Sequence, residues 1–392
     1  MKLTELLSNY SHLRLAKPSD NEAIIDFLKS TPMSFGSISV HYEFKKSIWT
    51  FLKYQGATCY VFLLINENKI CGYGVFSTRD YYILGAKYQA GYLSDLRISR
   101  NAIQSAKSQW KEFMNHMFSN INQIEEFKEV TYFYAAVFEK NVRALKLFHN
   151  EKFPIIFHPL LKYQAISILG RKPILFFKPH KLSSQFILTK ATNSDQPALW
   201  NFLQTQNKKK FWGEYFNPTD SDEWKRRENS WENYNINDFF VAKDHLGKIV
   251  FCTLPWSAHN SRKLVIEKIS LPYLILGKIF KIIGKKELKL NSPLNNYYLT
   301  HFEMSHDLTS DQKREIFTIF LNQLYKTKFQ RHYHSIIFCD YYDKALGEVL
   351  KDYMCIKTAA IIYQILPKND QSRRIENIHD LNKQMTFEAA IV

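Results

Sequence analysis

The residues whose types and spacing point to chemistry lie in one stretch, Gly91-Tyr92-Leu93-Ser94-Asp95-Leu96-Arg97-Ile98-Ser99-Arg100, and in Asn101 to Phe118 directly after it. Asp95 and Arg97 alternate with Leu96 and Ile98, the period of a half-buried strand. Ala106, Trp110, Phe113, Met114 and Met117 then recur at helical spacing. A strand that passes through a short loop into a helix presents first-turn N–H groups with no partner inside the helix. Those groups and the positive end of the helix dipole receive a phosphate. Three other groupings carry weaker signals. His332 and His334 share a strand face, but no third ligand accompanies them, so no metal is expected. Lys208-Lys209-Lys210-Phe211-Trp212, with Tyr215, Phe216, Trp224, Arg226 and Arg227, combines stacking and charge as a nucleic-acid groove does, or caps the second half of the chain. Lys278, Lys281, Lys285, Lys286 and Lys289 lie beside Leu274, Ile275, Ile279 and Ile282. That amphipathic basic patch suits an anionic membrane or packing within the protein, and packing is the expected use.

The elements that position these residues need a large core, and the composition supplies it. The 392 residues are 45% hydrophobic, with 30 Phe and 23 Tyr, which excludes global disorder and leaves room for two or three domains. Gly and Pro number only 12 each, so regular elements dominate. The five cysteines (Cys59, Cys71, Cys252, Cys339, Cys355) are odd in number, lack paired metal spacing and lie mostly in apolar runs. They read as reduced thiols of a cytoplasmic protein. Met1 to Tyr10 lacks the apolar run of a signal peptide, and no segment reaches the ~18 apolar residues of a transmembrane span. The net charge of +16 suits an anionic partner, tRNA and phosphate-rich cofactors among them, although the lysines are scattered.

Periodicity predicts a strand at Leu13–Lys17, a helix opened by Pro18-Ser19-Asp20, a second helix over Val40–Tyr54, and a hairpin of Thr58–Ile65 with Lys69–Phe76. The strand-loop-helix follows. A strand at Val130–Val137, a short helix at Asn141–His149, and strands at Lys152–Ile156 and Leu161–Leu169 complete the half. Arg171 to Gln185, with two prolines, is the expected linker. Beyond it the pattern repeats. Pro18–Leu28 matches Asn193–Leu203 at an offset of 195 − 20 = 175, and Lys69-Ile70 matches Lys248-Ile249 at 248 − 69 = 179. Tyr92–Ser99 matches Tyr298–Ser305 at 298 − 92 = 206, which locates an insertion between Phe251 and Tyr298. The ordered matches predict a duplication.

Three motifs in this order carry a resemblance. Lys69-Ile70-Cys71-Gly72-Tyr73-Gly74 leaves its turn as "I-x-G", Tyr92 to Ile98 forms a central strand, and Asn141-Val142-Arg143-Ala144-Leu145-Lys146-Leu147-Phe148 precedes Phe153. Together they resemble the GCN5-related N-acetyltransferase (GNAT) superfamily over about Leu13 to Gly170, and more weakly over Phe186 to Leu366. The layout is similar to tandem GNAT proteins. The resemblance implies an α+β fold of two tandem GNAT-like domains, each a mixed, mostly antiparallel sheet flanked by helices. The expected divisions are 1–178 for the N-terminal domain, 179–367 for a degenerate C-terminal domain, and 368–392 for a loose tail.

The resemblance also implies an N-acyltransferase, moving groups other than aminoacyl groups from acetyl-CoA or another acyl-CoA to an amine. Leu96, Arg97 and Ile98 would offer backbone bonds to the pantetheine arm. Asn101, Ala102, Ile103, Gln104, Ser105 and Ala106 would face the pyrophosphate, with Arg97, Arg100 and Lys107 supplying charge. Asn141 would bind cofactor, cap its own helix, or both. Asp95 is the first candidate base, or else a structural partner of Arg97 or Arg79; Glu43 is the second. The departures are the loop Arg100 to Lys107, which lacks the family's glycines, and Phe148 where the family often has a tyrosine. In the second copy Asp307 and Asp311 stand where phosphates would sit. Two further readings remain: a transferase using aminoacyl-tRNA, similar to the Fem-type enzymes, and a non-catalytic binding protein with two decayed domains.

Overall fold

The computed structural model describes every residue except 36, 151–152, 154, 173–184, 218–221, 369, 376–384 and 388–392. Most of the expected linker, and the boundary at 178/179, lie outside the described residues. The first half runs α1 (Leu3–Leu7), β1 (Leu13–Leu15), α2 (Asn21–Ser30), β2 (Met33–Phe35), β3 (Ile38–Phe44), α3 (Ile48–Gln55), β4 (Thr58–Asn66), β5 (Lys69–Ile83), β6 (Ala86–Ile98), α4 (Gln104–Ser119), β7 (Val130–Phe138), α5 (Val142–Phe148) and β8 (Ile155–Arg171). The second runs β9 (Ile187–Lys190), α6 (Gln196–Lys209), β10 (Trp212–Glu214), α7 (Asp222–Ser230), β11 (Phe240–Lys243), β12 (Ile249–Trp256), β13 (Arg262–Ile269), α8 (Leu271–Ile282), β14 (Asn296–Met304), α9 (Ser310–Lys326), β15 (Ser335–Asp340), α10 (Lys344–Leu350) and β16 (Tyr353–Pro367).

Local chemistry accounts for the hairpins. Glu67 (φ 47°) and Asn68 (φ 60°) turn β4 into β5, and Leu84 (φ 53°) and Gly85 (φ 82°) turn β5 into β6. Two left-handed residues in a row match the right-handed twist of the strands they join. β4 carries apolar residues on both faces. Phe62 and Leu64 pack under α4, while Val61 and Leu63 pack under α2 and α3. The sheet of this half is therefore covered on both sides, which explains the continuous apolar run.

The main sheet is α+β in character and mostly antiparallel, with helices on its faces. Its strand order is β1-β4-β5-β6-β7-β16-β8-β15-β14-β12-β11-β9, and β10 pairs with β5. Only β6–β7 and β14–β15 are parallel among the described strands of this path. Reading inward from the two edges gives the same succession twice, ending in an exchange. β16 lies between β7 and β8, and β8 lies between β16 and β15. β8 and β16 pair from Ile155–Pro367 to Arg171–Tyr353. A second, small sheet also joins the halves: β13 pairs with β3, and β3 with β2.

Three expectations are corrected. Val40 to Phe44 is strand, not helix; Val40 and Tyr42 are buried and Glu43 is exposed, the period of two imposed by pairing with β13. The helix begins only at Ile48, where the Ser47 hydroxyl accepts from the Trp49 N–H at 3.2 Å. Of the strands expected at Lys152–Ile156 and Leu161–Leu169, residues 152 and 154 lie outside the described residues; from Ile155 onward the two are one strand, because β16 carries a single ladder along it with a register shift near Leu160. The C-terminal segment is docked where it is described. The Gln364 amide bonds Arg373 O (2.7 Å) and Ile375 N (3.0 Å), Met385 is buried, and Thr386 N donates to Trp212 O at 2.7 Å.

The exchange predicts that the halves unfold together. Tryptophan fluorescence reports mainly the second half, since Trp200, Trp212, Trp224, Trp231 and Trp256 lie there. Its urea transition is expected to coincide with that of far-UV circular dichroism. A fragment ending at Lys172, which loses β16 from between β7 and β8, is expected not to fold; a cooperative melt of that fragment would contradict the interlock.

Candidate active site

β6 and β7 are paired from Gln89–Val130 to Leu93–Ala135. Beyond that point β7 follows β16, β6 follows β5, and the two strands part. The backbone from Ser94 to Ile98 therefore lines a V-shaped opening. A bulge re-aims β6 at the same place. Tyr73 pairs with Arg97 and Val75 with Ser94, so Gly74 alone faces Asp95 and Leu96. Asp95 takes φ 52°, and aspartate tolerates this left-handed region better than bulkier residues do. Gly74 allows a close approach of α4, since a methyl group there would sit 3.1 Å from the Trp110 ring.

The Asp95 and Arg97 side chains point toward α2 and β3. Asp95 Oδ1 accepts from the Tyr42 hydroxyl at 3.1 Å and lies 3.6 Å from Arg97 Nη2. Arg97 donates to Leu28 O (3.3 Å) and Thr31 O (2.8 Å) at the C-terminal end of α2, and covers the Tyr42 ring at 4.6 Å. Burial pushes the Tyr42 hydroxyl up to about 12. Arg79 acts likewise on α3, donating to Tyr54 O at 2.7 Å and to Gln55 O. Both guanidiniums thus satisfy orphan carbonyls at the negative end of a helix. Asp95 has the structural partner Arg97, not Arg79. Arg97 offers the opening its backbone, while its side chain is committed to α2.

The other predicted residues fall in three places. Arg100, Asn101, Ile103, Gln104 and Ser105 are exposed around the start of α4, with Ala102 and Ala106 buried beneath them. Asn101 N donates to Ser99 Oγ, and Lys107 Nζ to Arg100 O. Ile103 is the N-cap; no side chain caps the helix and no acid stands in its first turn. Ile103 has φ −66°, which any residue adopts, so the backbone there demands no glycine. Asn141 caps α5, its Oδ1 accepting from Ala144 N at 3.2 Å. Phe148 stacks on Phe157 and meets Tyr363 of β16 edge-on. Glu43 is not brought to Asp95: it points to the opposite face of β3 from Tyr42.

The second half repeats the backbone with different chemistry. β14 and β15 part after Tyr298–Ile337. Cys252 pairs with Glu303 and Leu254 with Thr300, so Thr253 faces His301 and Phe302, and His301 takes φ 49°. The offsets found in sequence map Gly74 onto Thr253 (253 − 74 = 179) and Asp95 onto His301 (301 − 95 = 206). His301 is buried, its Nε2 2.9 Å from both Arg227 Nη1 and the Tyr234 hydroxyl. Arg227 also pairs with Glu214, and buried Lys210 with Glu303. Removing one member of such a pair costs about 3–5 kcal/mol, so this cleft is filled by structure. α9 is capped by a reciprocal Thr309–Gln312 box with Asp311 in its first turn. Phe211, Trp212 and Trp224 are interior too, so the basic aromatic run is a core plug and presents little surface to a nucleic acid. Among the described residues no group of three or more His, Cys, Asp and Glu is placed to hold a metal.

This arrangement has solved counterparts. Saccharomyces cerevisiae N-myristoyltransferase with bound myristoyl-CoA is similar at a TM-score of 0.56 and 9% identity, covering 91% of this chain and 84% of that one. A GCN5-related N-acetyltransferase from Sphaerobacter thermophilus is similar at 0.51 and 10%, covering 90% and 94%. The fold is GNAT-like. The GCN5-related glucosamine N-acetyltransferase region of a fungal multi-domain β-N-acetylglucosaminidase is similar at 0.56 and 12% identity, covering 90% of this chain and 38% of that one. Identities this low establish the fold alone. No protein-family model and no curated protein matches the chain. Within the GNAT-like frame, sequence reasoning missed Tyr42 as the partner of Asp95. The alternation of Val40 and Tyr42 with His41 and Glu43 was the signal that would have found it.

One titration follows from the second half. Burial, the largest cause, raises Asp340 at the end of β15 to about 6 from an ordinary 3.8. The folded chain then binds the extra proton between about pH 4 and 6, so the contribution of Asp340 to stability is fully present below that window and is lost as pH rises through it. Asp340→Asn is expected to stabilise the protein above pH 6 by up to about 3 kcal/mol and to flatten this part of the profile. Urea unfolding of both forms at either end of the window checks it.

Proposed function

We propose that the chain is an acyl-CoA-dependent N-acyltransferase, with the donor in the first domain, residues 1–178. Residues 179–367 are then a degenerate copy that shapes the acceptor side. The observation carrying this reading is the contrast between the two openings. The first has bare strand backbone beside an uncapped helix start, whereas the second has a capped helix and a cleft filled with paired charges.

In this reading Leu96, Arg97 and Ile98 pair the pantetheine amides through their backbone. The first-turn N–H groups of Gln104, Ser105 and Ala106 receive the pyrophosphate, with Arg100 and Lys107 adding charge. Asn141 borders the far side of the opening from α5. The acceptor amine forms a C–N bond to the thioester carbonyl carbon as the C–S bond breaks; the thiolate leaves, and the amine proton passes to Asp95. Tyr42 and Arg97 orient that carboxylate. Acetyl-CoA is the first donor to test, and longer acyl-CoAs follow because the yeast neighbour holds a myristoyl chain. We place the protein in the cytoplasm, where its five cysteines stay reduced; burial pushes the Cys59 thiol up to about 11, away from reactive thiolate.

Calorimetry with acetyl-CoA and myristoyl-CoA tests the reading. Binding of at least one is expected, and no heat with no thermal shift at millimolar donor would sink it. Steep salt-dependent binding of tRNA would point to an aminoacyl-tRNA donor instead. Arg100→Glu is expected to weaken donor binding about tenfold, the scale of one charge-assisted hydrogen bond. Asp307→Ala should change nothing, and the reverse pattern would move the site to the second half.

A further inference from the structure

We propose that the outer face of α8 is a docking surface for an anionic phospholipid bilayer. The helix is anchored on its inner face. Phe280 and Gly277 are buried, a methyl group on Gly277 would collide with the Leu288 carbonyl, and Phe280 packs with Val40, Ile266 and Leu288 over the small sheet. The outer face carries Leu271 (69% exposed), Ile275 (53%), Ile279 (48%) and Ile282 (83%), with Ile283 (55%) beside them. Spacings of four, four and three residues put the first four on one stripe. Six of the fourteen exposed large hydrophobics among the described residues fall between Leu271 and Leu290, so this is a patch and not the ordinary scatter of a surface.

Charge selects the occupant. Leu271 to Leu290 holds five lysines and one acid, Glu287, a balance of 5 − 1 = +4. Lys278 and Lys281 are exposed along one border of the stripe and share Glu287 at 3.0 and 3.4 Å, which leaves the pair net positive. Lys289 is exposed nearby. A second copy on this face would bring a second cationic patch into a low-dielectric contact. An anionic bilayer accepts both features: the aliphatic side chains enter the acyl boundary while the lysines extend to the headgroups. The twelve residues of α8 span about 18 Å, too short to cross, so the helix lies in the interface plane.

Flotation of the full chain with vesicles tests the proposal. It is expected to bind phosphatidylcholine vesicles containing about 30% phosphatidylglycerol, to bind pure phosphatidylcholine far less, and to be released by salt. Ile275→Glu with Ile279→Glu should lower partitioning at least tenfold without moving the thermal melt. Lys278→Ala with Lys281→Ala should lower it several-fold and remove much of the salt dependence. Absence of binding to the anionic vesicles, or equal binding by the isoleucine variant, overturns the proposal. So does a dimer in sedimentation equilibrium that the isoleucine substitutions dissociate, which would assign the face to a second copy.

Discussion

β16 has no free edge: β7 bonds to one side of it and β8 to the other. β8 is held in turn between β16 and β15. Each half thereby completes its sheet with the last strand of the other. Hydrogen-bond satisfaction forces this arrangement, since an apolar strand with an unpaired buried edge leaves a row of orphaned amides. The opening in the first half is a consequence. β7 must follow the twist of β16 on one side, while β6 follows β5 on the other, and the ladder between β6 and β7 cannot persist. The bulge at Asp95 takes up the remaining angular mismatch.

The arginines show how the interior decides between a ligand and a helix end. Arg97 and Arg79 lie on neighbouring strands of a basic protein, and a phosphate would attract either. Their side chains are nearly buried, at 8% exposure each, beneath α2 and α3, whose last carbonyls have no intrahelical partners. A guanidinium with several donors and a flat face satisfies those carbonyls and stacks on Tyr42 at once. Strand alternation tells which face of the sheet an arginine occupies. It does not tell what covers that face, so Arg97 read as a phosphate cation in the sequence.

Local signals were legible and distant ones were not. The hairpin turn at Glu67-Asn68, the amphipathic α4 and the Asn141 cap each depend on a few adjacent residues. The repeat offsets of 179 and 206 also held, placing two bulges at matching positions. Val40 to Phe44 was read as helix because Phe44, Ile48, Phe51 and Leu52 fit a helical stripe, yet β3 is shaped by β13, far away in the chain. Long-range pairing overrides local pattern where the partner supplies a whole ladder. The basic apolar stripe of α8 was legible, but its exposure was not, for a related reason: apolar spacing gives the stripe and not which side faces the sheet.

The two bulges share a backbone and differ in what fills them. Asp95 and His301 both sit in the left-handed region where one strand leaves its parallel neighbour. Around His301 the space is taken by Arg227, Tyr234 and Glu214, and the Trp231 and Phe239 rings lie nearly parallel to the imidazole. That plug is carried by β10 and α7, and β10 is itself a strand added to β5 of the first half, pairing Trp212 to Glu214 with Ile83 to Tyr81. The segment that closes the second opening therefore braces the hairpin that borders the first. A paired, buried charge cluster is costly to disrupt and has no slack. It holds β5 in place from one side while Trp110 of α4 presses on Gly74 from the other. The second half contributes rigidity to the first in this way, through β10 and the charges that β10 brings into contact with α7.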